Sequence, residues 1–234
     1  FLLVFGWSRL IPKWLIKIAK KSTIGVHAGM FGPPRCRGRA VFNWSIILNF
    51  QKMTAYAMEL KPGVDDGDIF IKKKISISQQ DDINSLYLKN AIVSSEFFFK
   101  IIKYWNFFYK NKKSQNNKLA TYLPKRNPDD SFINWRQSSK EVYNFIRALK
   151  DPYPNAFTIH NNKKIYITEA IEFHYYNKSN FKPGEVIFKY GEDQFVVKCK
   201  KGFILVKFLK SSHIKSIKIK TILLSNKKKI KLNF

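Results

Sequence analysis

The first 30 residues alternate between apolar runs and a segment whose apolar residues have helical spacing. Residues 1–7, FLLVFGW, form a continuous apolar run that predicts a strand covered on both faces. Pro12 favours a first helical turn, and KWLIKIAKK follows it with apolar residues at helical spacing. The run STIGVHAG then predicts a second strand. This order of strand, helix and strand is typical of an α/β domain with a parallel sheet.

Gly6, Trp7 and His27 fall at the ends of these predicted strands. In parallel sheets, ligands bind in the crevice beyond the carboxyl ends of the strands. The pattern therefore predicts that these three residues converge on one crevice.

The middle of the chain alternates between further strands and helices. AVFNWSIILNF predicts a buried helix, TAYAMEL a strand, KPGVDDGDIF a tight turn and IFIKKKISI another strand. Residues 81–111 predict an aromatic-rich helical stretch, and NKKSQNNK predicts a polar linker. SSKEVYNFIRAL predicts a helix capped by Ser138 or Ser139, with Glu141 in its first turn. DPYPNAF ends this helix.

From Lys163 onward the pattern changes to short strands separated by turn residues. The segments are KKIYITEAIEF, GEVIFKYGEDQFVVKCKKGFILVKFLK and HIKSIKIKTILL, with hairpin-like connections at KYGEDQ and CKKGF. Short strands at this spacing predict a small β-barrel or β-sandwich. We therefore predict three parts: an α/β domain over 1–120, a bridging linker and helix over 121–158, and a β domain over 159–234.

Composition indicates a globular protein. The chain has 234 residues, of which 45% are hydrophobic and 16% aromatic, enough to bury a sizeable core. Its apolar runs fall short of the roughly 18 residues of a membrane span, so no membrane partner is expected. The opening segment lacks the charged start of a secretory signal. Because its first residues resemble interior sequence, we expect strands that precede Phe1 in the full protein.

Two features of the chain bear on its compartment and partners. Cys36 and Cys199 form neither a metal-ligand nor a disulfide pattern, which favours a reducing, cytoplasmic setting and no metal. The net charge of +27 creates a field that attracts phosphates and other anions. This charge has two interpretations, a nucleic-acid partner or a coding bias toward Lys, Asn and Ile. Charge alone measures non-specific attraction.

Three separated motifs resemble one family in the same order. STIGVHAGMFGPPRCRGRAVFNW followed by MELKPGVDDGDIFIKKKISI resembles the folate-dependent formyltransferases, which include methionyl-tRNA formyltransferase and the amino-sugar N-formyltransferases. LPKRNPDDSFINWRQSSKEVYNFIRALKDPYPNAFT looks like the family's bridging segment, and PGEVIFKYGEDQFVVKCKKGFILVKFLK resembles the start of its C-terminal domain. The resemblance covers residues 5–209. It implies a truncated Rossmann-like formyltransferase domain followed by a small OB-like β-barrel.

The resemblance gives His27 and Asp65 a chemical role. Taken by itself, a lone histidine is more often structural, and Asp65-Asp66-Gly67 is an ordinary turn sequence. The family transfers a formyl group from 10-formyltetrahydrofolate to a primary amine, which must lose a proton while an oxyanion is stabilised. The family histidine corresponds to His27 and the family aspartate to Asp65. The histidine acts as general base or oxyanion partner, and the carboxylate orients it, stabilises its cation or holds a water.

Gly25 departs from the family pattern. It replaces an asparagine that contacts the formyl oxygen in the family, and losing one such donor costs on the order of 100- to 1000-fold in rate. Three explanations compete. A donor such as Asn43 or a backbone N–H substitutes, the reaction is slow, or the fold has been kept for binding.

The resemblance also implies residues that bind the donor and the acceptor. The donor residues, acting chiefly through main-chain groups, are Gly6, Trp7, Ser8, Leu60, Val64 and Gly67. Trp7 has two interpretations, packing on the pterin ring or capping the core. The candidate acceptor residues are Arg35, Arg37 and Arg39, whose guanidinium groups suit phosphates but also fit a solvated basic loop.

Two hints about the amine acceptor disagree. The stretch Gly-Arg-Ala-x-x-Asn-Trp looks like the amino-sugar enzymes, which act on nucleotide-linked sugars, and because it is local to the site it favours the sugar. A basic β domain suits initiator methionyl-tRNA instead; its lysines include Lys198, Lys200, Lys201 and Lys207. The rival hypothesis is a catalytically impaired module that binds RNA or a nucleotide. The oligomeric state is not specified by the sequence.

Overall fold

A computed structural model describes residues 1–7, 9–175, 180–209, 212–226 and 232. Ser8, one of the predicted donor residues, lies outside the described residues. None of the helices in the described part of the chain has the length and apolarity needed to cross a membrane.

The chain divides into two compact units. The first contains Phe1–Ser45 and Phe50–Arg126, and the second contains Ile46–Asn49 and Asn127–Ile230. The elements from the start of the chain to Leu123 are β1 Leu2–Val4, α1 Lys13–Ile18, β2 Thr23–Gly29, β3 Arg37–Gly38, α2 Val41–Ile47, β4 Lys52–Glu59, β5 Ile69–Ser76, α3 Ile83–Lys103, α4 Trp105–Lys110 and β6 Tyr122–Leu123.

The main sheet of the first unit is mixed, with the order β1-β2-β4-β5. Only β1 and β2 run parallel, whereas β2 with β4 and β4 with β5 are antiparallel. The predicted parallel sheet is therefore correct for the first strand pair alone. The loop 60–68 between β4 and β5 is too short for a crossover, so it can join only antiparallel strands. The short strands β3 and β6 pair in parallel to each other, outside the main sheet.

The opening apolar run is a strand, but it is not covered on both faces. β1 has three residues and forms an edge of the sheet, and the side chains of Phe1, Leu3 and Phe5 are exposed. Trp7, which follows it, is 60% exposed, so its interpretation as a cap on the core is wrong. An apolar run specifies a strand, but it does not specify how many neighbours that strand has.

The core of the first unit lies between the sheet and α3. Helix α3 packs on β4 and β5 through residues at helical spacing, among them Leu86, Val93 and Phe97, all buried. Its N-cap is Asp82, whose carboxylate accepts the backbone N–H groups of Asn84 at 2.9 Å and Ser85 at 3.0 Å. The predicted helical stretch 81–111 is thus confirmed, as two helices divided at residue 104.

The second unit is an antiparallel sheet with one packed helix. Its elements are α5 Ser139–Arg147, β7 Ala156–His160, β8 Lys163–Phe173, β9 Val186–Tyr190, β10 Gln194–Lys198 and β11 Phe203–Phe208. The sheet has the order β7-β8-β11-β10-β9, and α5 packs on β8 and β11. Ser138 is the N-cap of α5 and forms a capping box with Glu141, which confirms that part of the sequence pattern.

The sheet of the second unit is not closed into a barrel by strand pairing within the described residues. Its edge strands are β7 and β9. Two isolated bridges, Ile159 with Leu224 and Glu185 with Ile222, connect residues near these edges to the segment that follows β11. That segment, HIKSIKIKTILL, is not the predicted strand. It begins as a 3-10 turn, and Lys220 adopts a positive φ of 71° that interrupts an extended path.

Asp81 stabilises the start of α3 through its charge. Its carboxylate accepts hydrogen bonds from the Ser78 N–H at 2.6 Å, the Ser85 hydroxyl at 2.8 Å and the Lys89 ammonium at 2.6 Å. Burial alone would raise the pKa of this carboxyl, but the bonds from Lys89, Ser78 and Ser85 outweigh burial and lower the pKa to about 2. Because the folded pKa lies below the unfolded one, the stabilisation is present above the unfolded pKa and is lost as pH falls.

We expect Asp81→Asn to lower the free energy of unfolding by about 1–2 kcal/mol at pH 7. The difference from the parent should shrink between about pH 5 and pH 2, and urea unfolding over that range measures it. Glu96→Gln is the matched control, since Glu96 is a carboxylate of α3 whose partner Lys73 is exposed. A loss that did not change with pH would contradict a role for the Asp81 charge.

Candidate active site

His27 lies inside β2, two residues before the strand ends at Gly29. The predicted strand, residues 22–29, agrees with β2 to within one residue, but β4 pairs with β2 as far as Gly29, so His27 lies within the paired strand and not at its end. Tyr56 of β4 is its direct cross-strand partner. The two rings meet edge to face with 5.7 Å between their centroids, which fixes one side of the imidazole.

The loop after β2 returns to the histidine and fixes its tautomer. The Nε2 atom of His27 lies 3.1 Å from the carbonyl oxygen of Cys36. Because a carbonyl can only accept, Nε2 carries the hydrogen, and Nδ1 holds the lone pair of the neutral ring. Burial raises the pKa of the Cys36 thiol, so that side chain is a poor nucleophile.

The structure brings Asp65 next to His27. Asp65 lies in the loop between β4 and β5, and its Oδ2 atom is 3.7 Å from Nδ1 of His27. The same oxygen accepts the backbone N–H of Gly38 at 2.9 Å. The side chains of His27 and Asp65 are 13% and 22% exposed, so both are reached from solvent. An N–H or O–H group of a ligand placed beside this pair can therefore interact with Nδ1 of His27 and with Oδ2 of Asp65 at once.

Gly67 allows the loop to close in this position. A Cβ atom at residue 67 would lie 1.6 Å from the carbonyl oxygen of Glu59, a distance that no side chain tolerates. The hairpin closes next to it, where the Glu59 N–H donates to Asp68 at 2.9 Å. Gly67 is therefore required by the turn itself. Its predicted contact with the folate donor stays a prediction.

Two residues of this site were not found from the sequence. Tyr56 is fully buried behind His27; burial and the nearby Asp65 charge hold its pKa well above the ordinary value, so the phenol stays protonated. Gln115 donates to the carbonyl oxygens of Asp65 at 2.8 Å and Gly67 at 2.7 Å. Its segment, NKKSQNNK, has the composition of a polar linker, which gave no signal of a buried role.

Arg37 is not placed to bind an acceptor. It is 2% exposed, and its Nη2 atom donates to the side-chain oxygens of Gln115 at 3.0 Å and Asn117 at 2.7 Å. The prediction that Arg37 grips acceptor phosphates is therefore wrong. Burial in β3 turns this side chain inward, whereas Arg35 and Arg39 on either side of it are exposed and remain candidates.

The remaining candidates lie in three places. Gly6 and Trp7 are exposed after β1, and Leu60 and Val64 are half-buried in the loop that carries Asp65. Asn43 is fully buried in α2, and its role as a substitute donor stays a prediction. Among the described residues, no group of three His, Cys, Asp or Glu side chains is arranged to hold a metal ion.

The space at Gly25 is filled by Leu60. Gly25 and His27 are two residues apart on β2, so they share a face of the sheet. A Cβ atom at residue 25 would lie 2.6 Å from Cδ2 and 2.9 Å from Cγ of Leu60. An aliphatic side chain thus fills the space next to Gly25, on the face of β2 that His27 shares.

We expect Gly25→Ala to destabilise the protein by about 1–3 kcal/mol, because the new methyl group overpacks against Leu60. In a Leu60→Ala background the same change should cost less, giving a coupling energy of about 0.5–3 kcal/mol in a double-mutant cycle. Urea unfolding of the four proteins measures it. Additive effects would show that the two positions are not in contact.

Comparisons with known proteins identify the family of this chain. Residues 1–102 match the family described as formyl transferase, and residues 125–227 match the one described as formyl transferase, C-terminal domain. A methionyl-tRNA formyltransferase from Sulfurihydrogenibium sp. is 30% identical over 92% of this chain and 67% of its own length. One from Acetivibrio thermocellus is 29% identical over 88% of this chain. The chain spans 65% of that relative and 64% of one from Geobacter metallireducens.

Solved structures share the fold. A methionyl-tRNA formyltransferase from Clostridium thermocellum has a TM-score of 0.62 at 21% identity, over 72% of this chain and 71% of its own. The sugar 3N-formyl transferase WlaRD, solved with dTDP and 5-N-formyl-THF, has 0.62 at 21% identity over 89% and 72%. HypX from Aquifex aeolicus, in complex with tetrahydrofolic acid, has 0.63 at 20% identity over 87% and 34%. By its sequence matches along both units, this chain belongs to the formyl transferase family.

Proposed function

We propose that the protein transfers a formyl group from 10-formyltetrahydrofolate to a primary amine. The observation that carries this proposal is the approach of Asp65 to within 3.7 Å of His27 in a member of the formyl transferase family. His27 is the group that accepts the amine's proton, and Asp65 supports it. Both are partly exposed on one side of the sheet, where a substrate can reach them.

The geometry assigns the two ring nitrogens different tasks. The Cys36 carbonyl holds the Nε2 hydrogen, so Nδ1 is free to accept a proton. As the amine attacks the formyl carbon, its proton moves to Nδ1, and the resulting imidazolium is stabilised by the Asp65 carboxylate. The tetrahedral intermediate then collapses. The bond from the formyl carbon to the donor nitrogen breaks, and the proton passes to that nitrogen.

The oxyanion of this intermediate needs a donor that Gly25 does not supply. The imidazolium of His27 is a candidate, since it forms in the same step beside the reacting carbon. Asn43 and a backbone N–H of the surrounding loops are the others. The aliphatic side chain of Leu60 lowers the local polarity, which strengthens any remaining electrostatic contact.

The folate donor is proposed to bind along the loops at the edge of the sheet. The residues are Gly6, Trp7, Ser8, Leu60, Val64 and Gly67. The exposed indole of Trp7 is free to pack against an aromatic ring, and Leu60 and Val64 offer apolar surface on the loop that carries Asp65. The tetrahydrofolate and formyl-tetrahydrofolate complexes of HypX and WlaRD support a folate ligand.

Two amines are candidates for the acceptor, a nucleotide-linked amino sugar and methionyl-tRNA. Arg35 and Arg39 are exposed and suit the phosphates of either one. The methionyl-tRNA formyltransferases among the sequence relatives favour tRNA, as does the basic second unit, in which Lys200 and Lys201 are exposed. We propose that this unit contacts the nucleic-acid backbone, as OB-like domains do. The sugar enzyme WlaRD supports the alternative.

A second candidate function is a binding module without catalysis. The observation that favours it is the contact between Gly25 and Leu60, which puts an aliphatic side chain where the resemblance implies an amide. A binding module would hold RNA or a nucleotide but would form no product in single-turnover assays. Calorimetry with RNA and with a nucleotide, beside the transfer assay, separates the two functions.

We expect His27→Ala to lower kcat/KM for formyl transfer by about 100- to 10,000-fold, because the proton acceptor is removed. Asp65→Asn should also lower kcat, while its affinity for tetrahydrofolate stays within a few-fold of that of the parent protein. Transfer of a radiolabelled formyl group measures both. His213→Ala, at an exposed histidine of the second unit, is the matched control. Full activity in His27→Ala would contradict the proposed mechanism.

We expect salt to identify the acceptor. If it is tRNA, KM for tRNA should rise steeply between 50 and 200 mM salt, by about 10³-fold for several phosphate contacts. Replacing both Lys200 and Lys201 by alanine should then reduce the slope of log KM against log salt by about 2. Lys72 and Lys74, exposed on β5, provide a control pair with the same charge change. A dTDP-linked amino sugar should show weak salt dependence in the same assay.

A further inference from the structure

Gln115 uses its whole carboxamide to connect two segments of the first unit. Its Nε2 atom donates to the carbonyl oxygens of Asp65 at 2.8 Å and Gly67 at 2.7 Å. Its Oε1 atom accepts from Nη2 of Arg37 at 3.0 Å. The side chain is half-buried, whereas its neighbours Ser114 and Asn116 are exposed.

The orientation of this carboxamide is fixed by its partners. Both amide hydrogens point to carbonyl oxygens, which only accept, and the amide oxygen faces a guanidinium, which only donates. A flipped amide would place its oxygen against two carbonyls and its hydrogens against a cation. Gln115 is therefore held in one orientation and in turn holds the backbone of the loop.

The backbone at Asp65 needs such support. Its φ is +49°, in the left-handed region that residues other than glycine rarely adopt. Gln115 binds the carbonyl at Asp65 and the one at Gly67, so it holds both ends of the turn. At Gly67 the backbone lies directly against Glu59, which leaves the turn no alternative path.

Strand β3, which contains Arg37, also holds the Asp65 carboxylate. Gly38, next to Arg37 in β3, donates its N–H to Oδ2 of Asp65 at 2.9 Å. Arg37 fixes Gln115 from that strand and is held by Asn117 at 2.7 Å. Two consecutive residues of β3 thus position Asp65. Arg37 acts on the Asp65 backbone through Gln115, and Gly38 binds the Asp65 carboxylate directly.

We propose that Gln115 is a positioning residue, which rests on the formyl transfer proposed above and acts only through Asp65. By fixing the turn it sets the carboxylate at its distance from Nδ1 of His27. Removing its two donors frees the turn to move, and the carboxylate then loses its place beside the ring. Because Gly67 of this turn is also a proposed donor residue, tetrahydrofolate affinity is measured beside kcat.

The test is a double-mutant cycle in the full chain. Gln115→Glu keeps the acceptor for Arg37 but removes both donors to the loop. We expect kcat to fall about 10- to 100-fold, as for other residues that orient a catalytic group, while the dissociation constant for tetrahydrofolate stays within about three-fold. In an Asp65→Asn background the same change should have no further effect. Gln115→Met, of similar shape, serves as a second variant with the same expectation.

Asn116→Ala is the matched control, since Asn116 is exposed in the same segment and its side chain accepts only the Lys118 N–H among the described hydrogen bonds. It should leave kcat unchanged. A loss in Gln115→Glu that is equally large with and without Asp65→Asn would overturn the proposal, as would an unchanged kcat or a loss confined to tetrahydrofolate affinity.

A spectroscopic measurement separates this proposal from the proposed function. If the parent transfers no formyl group to any acceptor, the function fails, but the positioning can still be observed. Nitrogen-15 NMR of the His27 ring should then show the same change of signals in Gln115→Glu and in Asp65→Asn, and none in Asn116→Ala. If the ring signals in Gln115→Glu were identical to those of the parent, the positioning role would be contradicted.

Discussion

The hydrogen bond from the Gly38 N–H to the Asp65 carboxylate is the contact on which the candidate site depends. It joins a short strand that follows the loop after β2 to the loop between β4 and β5. Because His27 is bound by the carbonyl of Cys36, from the same returning loop, both members of the pair are held from one segment. The 3.7 Å approach of carboxylate and ring is thus a consequence of backbone geometry.

Apolar runs and capping residues were sufficient to predict most elements of the fold. The strands around His27 and Asp65, the long helix after residue 82 and the capping box at Ser138 follow from local patterns that the chain satisfies within a few residues. Pairing partners do not follow from such patterns. The antiparallel direction of β4 and the edge position of β1 are set by contacts between residues distant in sequence. The alternation in HIKSIKIK resembles a strand, but the segment begins as a 3-10 turn, because period-two patterns also occur in turns.

The site was predicted only where the family resemblance supplied it. His27 and Asp65 were singled out by motifs, and their residue types alone gave an ordinary strand histidine and an ordinary turn. Gln115 was missed because burial of one polar side chain in a polar segment leaves no mark on composition. Arg37 was misassigned for the related reason that alternate residues of a basic loop differ in exposure, which only the folded chain determines. Sequence reasoning cannot separate a solvated cation from a buried one.

The partner of His27 at Nε2 is a main-chain oxygen, and this has a consequence for how the site tolerates change. Every amino acid supplies the same carbonyl, so drift at position 36 preserves the tautomer as long as the left-handed backbone there, with φ of 61°, is kept. Alanine scanning removes side chains and keeps the main-chain carbonyl, so it does not detect this contact. The identity of the side chain at position 36 therefore does not report which ring nitrogen carries the hydrogen.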